Sequence, residues 1–462
     1  MFKIYSCVFS VPAYNYIVDV NKKFIMLKTM LSKFLGFFEK RLPVLSVGGF
    51  IFGISFAHFS FDFEVSVTSV ISGVIEYYSY FAPIAIYLIL APALAKILFN
   101  SQSDGKGFVA YAVGWLSLRK LAACLWGAVF TALVLGLPMV SSHDNINIVN
   151  SIFKVFGSLG WMFLHSTYFY AVYLALISVV LSYRFKTLAN FLEKIANVVE
   201  AAGPFIVPFI PLFMLAIGAY IYGLPHNLKA NLVGGTIGHS LGSLNIIGFG
   251  GINANTPVGM ISIYLAGAAL TGIACLIWHG GLLFLAKMYD KHFSIKNYFI
   301  NYWSKVYPLL WATSSESIAT PLNLHLVHKY FPEVRDEVRR LIVGMGSFLN
   351  INGTLICVFV ILGVVCNVIG YQLSLLELIL CIPVVFIISF GVPGIPGELL
   401  LFAGPLSLLL GIPGSMLNAF LALYLGLQIG LPDSFRSGNN STDNCVLSIM
   451  LNKVYEKKFI KK

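Results

Sequence analysis

Charged residues are scarce in this chain of 462 residues. Asp, Glu, Lys and Arg make up 11% of it and hydrophobic residues 58%, whereas about 25% charged residues is usual for a soluble protein. The mean hydropathy is +0.85. So few charges exclude a soluble globular protein and are typical of a chain that crosses a membrane several times.

Among the charged residues, the acidic ones are scarcer than the basic ones. The chain has 19 Asp and Glu against 30 Lys and Arg, a formal net charge of +11. In a soluble protein this balance could indicate nucleic-acid binding. Here the basic residues lie largely in short loops and tails, so we interpret them as topology signals and contacts to anionic lipid. We expect membrane lipid as a partner, and no nucleic acid.

Cysteine is also sparse and shows no pattern of its own. The seven cysteines have no C-x-x-C or metal-ligand spacing, which predicts buried thiols rather than a metal site, and we expect no cofactor. A secretory signal peptide is not predicted either, because Lys22 and Lys23 follow rather than precede the first apolar stretch.

Long apolar runs are what the chain has instead. Residues 1–41 predict a basic cytoplasmic arm and residues 453–462 a basic cytoplasmic tail. Basic loops at 100–106, 183–186 and 287–296 fall on one side of the membrane, as the positive-inside tendency requires. Residues 223–257, rich in Gly, Asn and His, stay unassigned. The runs between these segments are long enough to cross a bilayer and lie at about 42–60, 65–99, 108–140, 159–182, 190–222 and 258–286.

The C-terminal half follows another pattern. Two apolar segments, 297–327 and 373–413, each break at a polar or Gly/Pro-rich tip, which predicts two re-entrant hairpins. A seventh span at 341–370 has a polar middle, and the last span carries polar residues from 431 to 444. Two hairpin-plus-helix units entered from opposite sides are the inverted-repeat design of secondary transporters. The fold class is therefore an all-α polytopic membrane protein in the plasma (inner) membrane.

The last span holds the strongest candidate site. Asp433, Arg436, Asn440 and either Asp443 or Asn444 recur at three- and four-residue steps, so they share one helix face. Ionisable groups at membrane depth mark a substrate or ion path by default. A structural i,i+3 ion pair between Asp433 and Arg436 is the alternative.

Other interpretations stay open at this point. Asn350 and Asn352 could instead be interhelical hydrogen-bond partners. A passive channel is a further alternative. Gly238-x-Ser240-x-Gly242 fits a serine hydrolase motif, but the strand–turn–helix that this motif requires is not predicted around it. We therefore predict that the protein is not an enzyme.

Four motifs, in order, resemble the dicarboxylate/amino acid:cation symporter family of glutamate and aspartate transporters. The stretch 350–354, Asn-Ile-Asn-Gly-Thr, is similar to the family's Asn-Met-Asp-Gly-Thr. Residues 391–397 resemble its second hairpin tip, and residues 314–317 its serine-rich first tip. Asp433-x-x-Arg436-x-x-x-Asn440 matches its last helix in spacing. The N-terminal half matches mainly in its number of spans.

The resemblance implies eight transmembrane helices plus the two hairpins, in a homotrimer that works as an elevator. It implies that 42–256 forms mainly the scaffold and trimer contacts, and that 257–452, together with the third span at 108–140, forms the transport domain.

The resemblance also implies roles for single residues. Arg436 would hold the side-chain carboxylate of an acidic amino acid and Asp433 its ammonium group. Asn440 and Thr354 would bind the main-chain carboxylate and the side-chain end. The hairpin tips would add Ser314, Ser315 and Gly394. An acidic amino acid is favoured over a C4-dicarboxylate, because Asp433 would otherwise lack a cationic ligand partner.

The cation sites depart from the family pattern. Asn352 stands where the family has aspartate, and Asn444 falls at another such position, with Asp443 one residue away as a possible substitute. Gly346, Asn350 and Asn440 keep part of a cation site. The third span lacks the Thr-Ser pair that contributes to one family site. The sequence therefore predicts that the coupling ion is Na⁺ or H⁺, with sodium coupling reduced, altered or replaced by protons, and Glu316 is a candidate proton carrier.

Overall fold

The computed structural model describes residues 10–59, 104–140, 167–202, 241–390 and 398–460. It also describes scattered residues between 84 and 98, most of 207–219, and residue 392. The elements of this part of the chain are helical apart from one small hairpin of strands. The N-terminal helices are α1 (Ser10–Phe59), α2 (Gly105–Leu135), α3 (Thr167–Arg184), α4 (Lys186–Ala202) and α5 (Pro257–Tyr289).

The C-terminal helices are shorter and more often broken. Residues 295–303 form a short helical segment and a π-helical turn that lead into the first of them. The helices are α6 (Ser304–Thr313), α7 (Glu316–Tyr330), α8 (Asp336–Leu349), α9 (Asn352–Ile369), α10 (Leu375–Ile388), α11 (Leu400–Leu409), α12 (Gly414–Gln428) and α13 (Leu431–Lys458).

Several helices are long and apolar enough to cross a membrane. Among the described residues, α2, α5 and the broken pair α8–α9 meet this test, and two bent pairs raise the number to five. One bent pair lies within α1, where the axis turns by 69° around Pro43, because proline removes a helical hydrogen bond. The other is α12–α13, bent by 59° at Ile429-Gly430. The chain is a multi-pass membrane protein.

Some predicted boundaries are wrong. The third span was expected to reach residue 140, but α2 ends at Leu135 because Gly136 takes a left-handed conformation with φ 65°. The basic turn at 183–186 shrinks to Phe185 alone, between α3 and α4. The basic tail is helical as far as Lys458. Within the unassigned region, Ser243–Ile246 and Gly250–Asn253 pair as antiparallel strands β1 and β2, which is a feature the sequence did not predict.

The two segments predicted as hairpins are each helix–tip–helix. In the first, α6 and α7 meet at Ser314, which adopts φ 49°, and Ser315, which caps α7 by accepting a hydrogen bond from the Ile318 amide. In the second, α10 and α11 flank a tip of which residues 391 and 393–397, including Gly394, lie outside the described residues.

The core lies around two helices. The broken span α8–α9 is nearly fully buried, and α9 packs on α2, α5, α12 and α13. Helix α13 packs in turn on α5, α6, α7, α8 and α9. On the outside of this group, Glu39 of α1 accepts hydrogen bonds from Lys329 (2.8 Å), Tyr330 (2.7 Å) and Lys305 (3.3 Å) of the first hairpin.

Candidate functional site

Helix α13 brings the polar residues of the last span into the protein interior. It begins just after Gly430, with Pro432 in its first turn, and the hydroxyl of Tyr264 receives a hydrogen bond from the Leu431 amide at 2.8 Å. From Asp433 to Ser448 every residue except Phe435 is buried. A helix this polar lies in an apolar protein only where neighbours satisfy its side chains.

Arg436 is at the centre of these side chains and has no exposed surface. Its guanidinium forms close ion pairs with Asp433, one turn earlier on α13, and with Glu398 at the end of the second hairpin tip. It also donates to the Thr354 hydroxyl of α9 at 3.1 Å. The arginine predicted to hold a substrate carboxylate therefore holds two carboxylates of the protein. For Asp433 the structure has the i,i+3 ion pair that we considered as the alternative.

Asn440 connects α13 to α9 and to the first hairpin. Its side-chain oxygen accepts from the Gly353 amide, and its amide group donates to Thr354 Oγ1 at 2.8 Å and to Glu316 Oε1 at 2.7 Å. Glu316 is fully buried, and its Oε2 has no hydrogen-bond partner among the described residues. Like Glu398, the carboxyl group of Glu316 thus lies beside the predicted substrate residues. Glu398 acts on it electrostatically.

The first tip is fixed to α13 by hydroxyl groups. Ser437 donates to the Ser314 carbonyl at 2.9 Å, and Ser434 donates to the Trp311 carbonyl at 2.6 Å. The Ser314 and Ser434 hydroxyls lie 3.5 Å apart. Ser314 therefore contacts Ser434 and Ser437 of α13, whereas the Ser315 hydroxyl serves as a helix cap.

The predicted cation-site positions come together as a cluster of amides. Asn350 Nδ2 donates to the Asn440 carbonyl at 2.9 Å and to Asn444 Oδ1 at 2.8 Å, and Asn352 Nδ2 donates to Asn350 Oδ1. Gly346 adjoins Asn444 so closely that a Cβ there would lie 2.1 Å from its Oδ1. For Asn350 this is the interhelical hydrogen bonding that we considered, whereas Asn352 donates, among the described residues, only to Asn350, two residues away.

A sodium ion does not fit this cluster as it stands. Sodium needs convergent oxygen atoms and compensating negative charge, as other hard cations do. Here N–H groups point at the oxygens that would have to bind the ion, and none of the five positions carries a charge. The Asn352 Oδ1 atom is the exception, because it is buried without a hydrogen-bond partner.

Comparison with known proteins identifies the segment that contains this site. The model of the family described as "Sodium:dicarboxylate symporter family" matches residues 251–454. This segment belongs to the sodium:dicarboxylate symporter family. The match confirms the resemblance predicted from the four motifs. The symporter family is one of transporters and not of enzymes. A search of curated proteins finds no match to the chain.

Within the segment that matches the family, Asp443 does not act as a substitute cation ligand in the amide cluster. One of its oxygens pairs with Arg119 of α2 at 2.6 Å, and the other lies 2.7 Å from His279 Nδ1 of α5. His279 Nε2 is 2.9 Å from the hydroxyl of Tyr298. All four groups are buried. They form a polar network on another side of α13 that connects it to α2 and α5.

Two of the charged groups in the core of the described residues were not among the predicted site residues. Arg119 and Lys120 interrupt an otherwise apolar span, which was a signal that the sequence offered. What the sequence could not give was their direction, because neighbours on a helix point about 100° apart. The structure directs Arg119 to Asp443 and Lys120 to the second hairpin.

Replacing Gly353 by alanine tests the contact between α9 and α13. A Cβ at this position would lie 2.4 Å from the Arg436 carbonyl oxygen and 3.0 Å from its Cα, so backbone would have to shift. We expect Gly353→Ala to lower the free energy of unfolding by about 1–3 kcal/mol, measured as a lower midpoint of thermal unfolding.

The matched control is Gly114→Ala in α2. A Cβ there meets no atom within 4 Å, and alanine is the better helix former by about 1 kcal/mol. An equal midpoint for Gly353→Ala and the wild type would contradict the close packing of α9 on α13.

Proposed function

We propose that this protein is a secondary active transporter that couples the uptake of an acidic amino acid to protons. It would work as a homotrimer by an elevator mechanism in the plasma membrane, with both termini in the cytoplasm. The single observation that carries the proposal is the pairing of Arg436 with Glu398, a carboxylate at the base of the second hairpin tip. Glu398 takes the place on Arg436 where a substrate carboxylate would bind.

The buried charges support coupling to protons. Arg436 and Lys120 bring two positive charges to the site, whereas Asp433, Glu398 and Glu316 bring three negative charges when all are ionised. An acidic amino acid adds a further net negative charge. Burying uncompensated charge costs several kcal/mol, so cations must accompany the substrate. The amide cluster is poorly suited to bind sodium, which favours protons as these cations.

Protonation of Glu398 would allow the substrate carboxylate to take its place on Arg436. A proton on Glu398 weakens its ion pair with Arg436, and the substrate's side-chain carboxylate can then pair with the guanidinium in a bidentate way. The groups that act on Glu398 include Arg436, Thr354, Glu316 and Lys120. Glu398 adjoins the second tip. The release of Glu398 from Arg436 would therefore also free this tip to act as the gate.

A C4-dicarboxylate is the second candidate substrate. One observation favours it: Asp433 is already paired with Arg436, so it does not need a substrate ammonium group. Competition decides between the two classes. Excess succinate should leave labelled aspartate uptake nearly unchanged if the proposal is right, and should abolish it if the site is built for dicarboxylates.

The test of proton coupling is uptake of labelled aspartate and glutamate into proteoliposomes under separate proton and sodium gradients. We expect an inward proton gradient to drive accumulation and a sodium gradient alone to drive none. Glu398→Gln should bind substrate but lose concentrative, proton-driven uptake, since glutamine carries no titratable proton.

Glu456→Gln, at an exposed position of α13, is the control and should behave as the wild type. Accumulation driven only by sodium would refute proton coupling. Unchanged proton-driven accumulation by Glu398→Gln would refute the role of Glu398.

A further inference from the structure

Lys120 is a fully buried lysine that the substrate chemistry above does not use directly. It lies in the middle of α2, and none of its surface is exposed. A lysine ammonium in such a place is costly unless other groups replace its water shell. The groups that do so indicate what its role is.

The ammonium of Lys120 is directed at the second hairpin. Its Nζ donates to the carbonyl oxygen of Ser389 at 3.0 Å and lies 4.0 Å from the centre of the Phe390 ring. Ser389 caps the C-terminal end of α10, where backbone carbonyls lack helical partners and the helix dipole is negative. A carbonyl at a helix end and an aromatic face are both groups that attract a cation.

The position of Lys120 relative to the carboxylates gives the second observation. Glu316 of the first hairpin and Glu398 of the second both act on it electrostatically. The carbonyl at the α10 end contacts the ammonium, and the charges of Glu316 and Glu398 also favour a cation there. In a transporter of this family, a mobile cation would be expected in such surroundings.

The amide cluster is the third and independent observation. The positions expected to bind sodium satisfy one another with N–H donors: Asn350 donates to Asn440 and Asn444, and Asn352 donates to Asn350. The part of the chain that the structure describes thus has internal donors where the family would use an ion.

We infer that Lys120 is a tethered cation, which takes the place of a mobile coupling cation at the carbonyl end of α10 and makes substrate binding independent of sodium. The inference rests on the proposed transport function and deepens it. Its consequence is that the second hairpin lies against a cation that the chain itself carries. Sodium then cannot take the position beside the Ser389 carbonyl until that cation is removed.

Removal of the ammonium tests the inference. Lys120→Ala leaves a space next to the Ser389 carbonyl that a small cation can enter. In medium with choline in place of sodium, we expect wild-type aspartate uptake to be unchanged and uptake by Lys120→Ala to fall about tenfold or more, which corresponds to about 1.4 kcal/mol. Added sodium or methylammonium should restore a large part of it. Lys120→Arg, which keeps the charge, should remain sodium-independent.

A thermal-unfolding assay without substrate gives a readout that does not depend on transport. Sodium or methylammonium should raise the unfolding midpoint of Lys120→Ala and leave that of the wild type unchanged. Lys120→Gln serves if the alanine variant does not fold. Lys106→Ala, at an exposed lysine of the same helix, is the matched control.

The outcomes separate the two proposals. Wild-type uptake or stability that requires sodium would overturn the tethered cation, and so would a Lys120→Ala variant that matches the wild type in choline. Absence of aspartate and glutamate uptake under every gradient would overturn the proposed substrate. The cation dependence of the unfolding midpoints would still decide the role of Lys120.

Discussion

Arg436→Ala should abolish substrate binding and uptake. The substitution removes the cation that a substrate carboxylate would pair with, a loss of 2–5 kcal/mol or more, or about 30-fold to several thousand-fold in affinity. It also leaves Asp433 and Glu398 buried beside each other without their partner. We therefore expect a lower unfolding midpoint as well. Binding of labelled aspartate to purified protein and uptake into proteoliposomes measure the two functional effects.

A compensated variant separates binding from folding. Arg436→Met combined with Asp433→Asn and Glu398→Gln neutralises all three members of the ion cluster, so none of the three is left charged without its partner. Replacing a buried ionic cluster by neutral groups is often neutral for stability. We expect this variant to recover much of the unfolding midpoint but none of the binding. Recovery of uptake together with stability would show that Arg436 is only structural.

Asp443→Ala should be among the most destabilising single substitutions in α13. Its two oxygens pair with Arg119 and with His279, and removal of one partner of a buried ion pair costs about 3–5 kcal/mol. The measurement is the unfolding midpoint, followed together with the amount of folded protein recovered from membranes.

The double-mutant cycle with Arg119→Met identifies the cause. If the ion pair is the reason for the loss, Asp443→Asn and Arg119→Met should each lower the free energy of unfolding. The loss in the double variant should then be smaller than the sum of the two single losses by about 0.5–3 kcal/mol. Additive losses would mean that Asp443 is held by His279 alone. Ser448→Ala on the same helix, which removes only a hydroxyl bonded to the Asn444 carbonyl, provides the control.

The sequence predicted the arrangement of the candidate residues where that arrangement depends on local spacing. Asp433, Arg436 and Asn440 are three and four residues apart, so a helix places them on one face whatever surrounds it. The interruptions at Ser314 and at Asn350 were visible because polar residues and glycine break an apolar run. In the structure, these two interruptions are the tip between α6 and α7 and the break between α8 and α9.

The partners of those residues could not be predicted, since they come from distant parts of the chain. Arg119 and Asp443 are 324 residues apart, and Glu398 reaches Arg436 across 38. A single sequence gives no rule for choosing among several buried charges. The same limit applies to Lys120, which donates to the backbone carbonyl of Ser389. Because every residue has a backbone carbonyl, the sequence does not single this one out.

The ion cluster around Glu39 has a consequence for the timing of the transport cycle. It joins α1 to Lys329 and Lys305 of the first hairpin, and the proposed elevator motion would carry that hairpin past α1. Each turnover would then begin by separating these charges, so the cluster would set a resting position and contribute to the barrier that limits turnover. Lys329 is 45% exposed, so dissolved salt screens its part of the contact. Ionic strength would then influence how fast the protein turns over, apart from any ion that it carries.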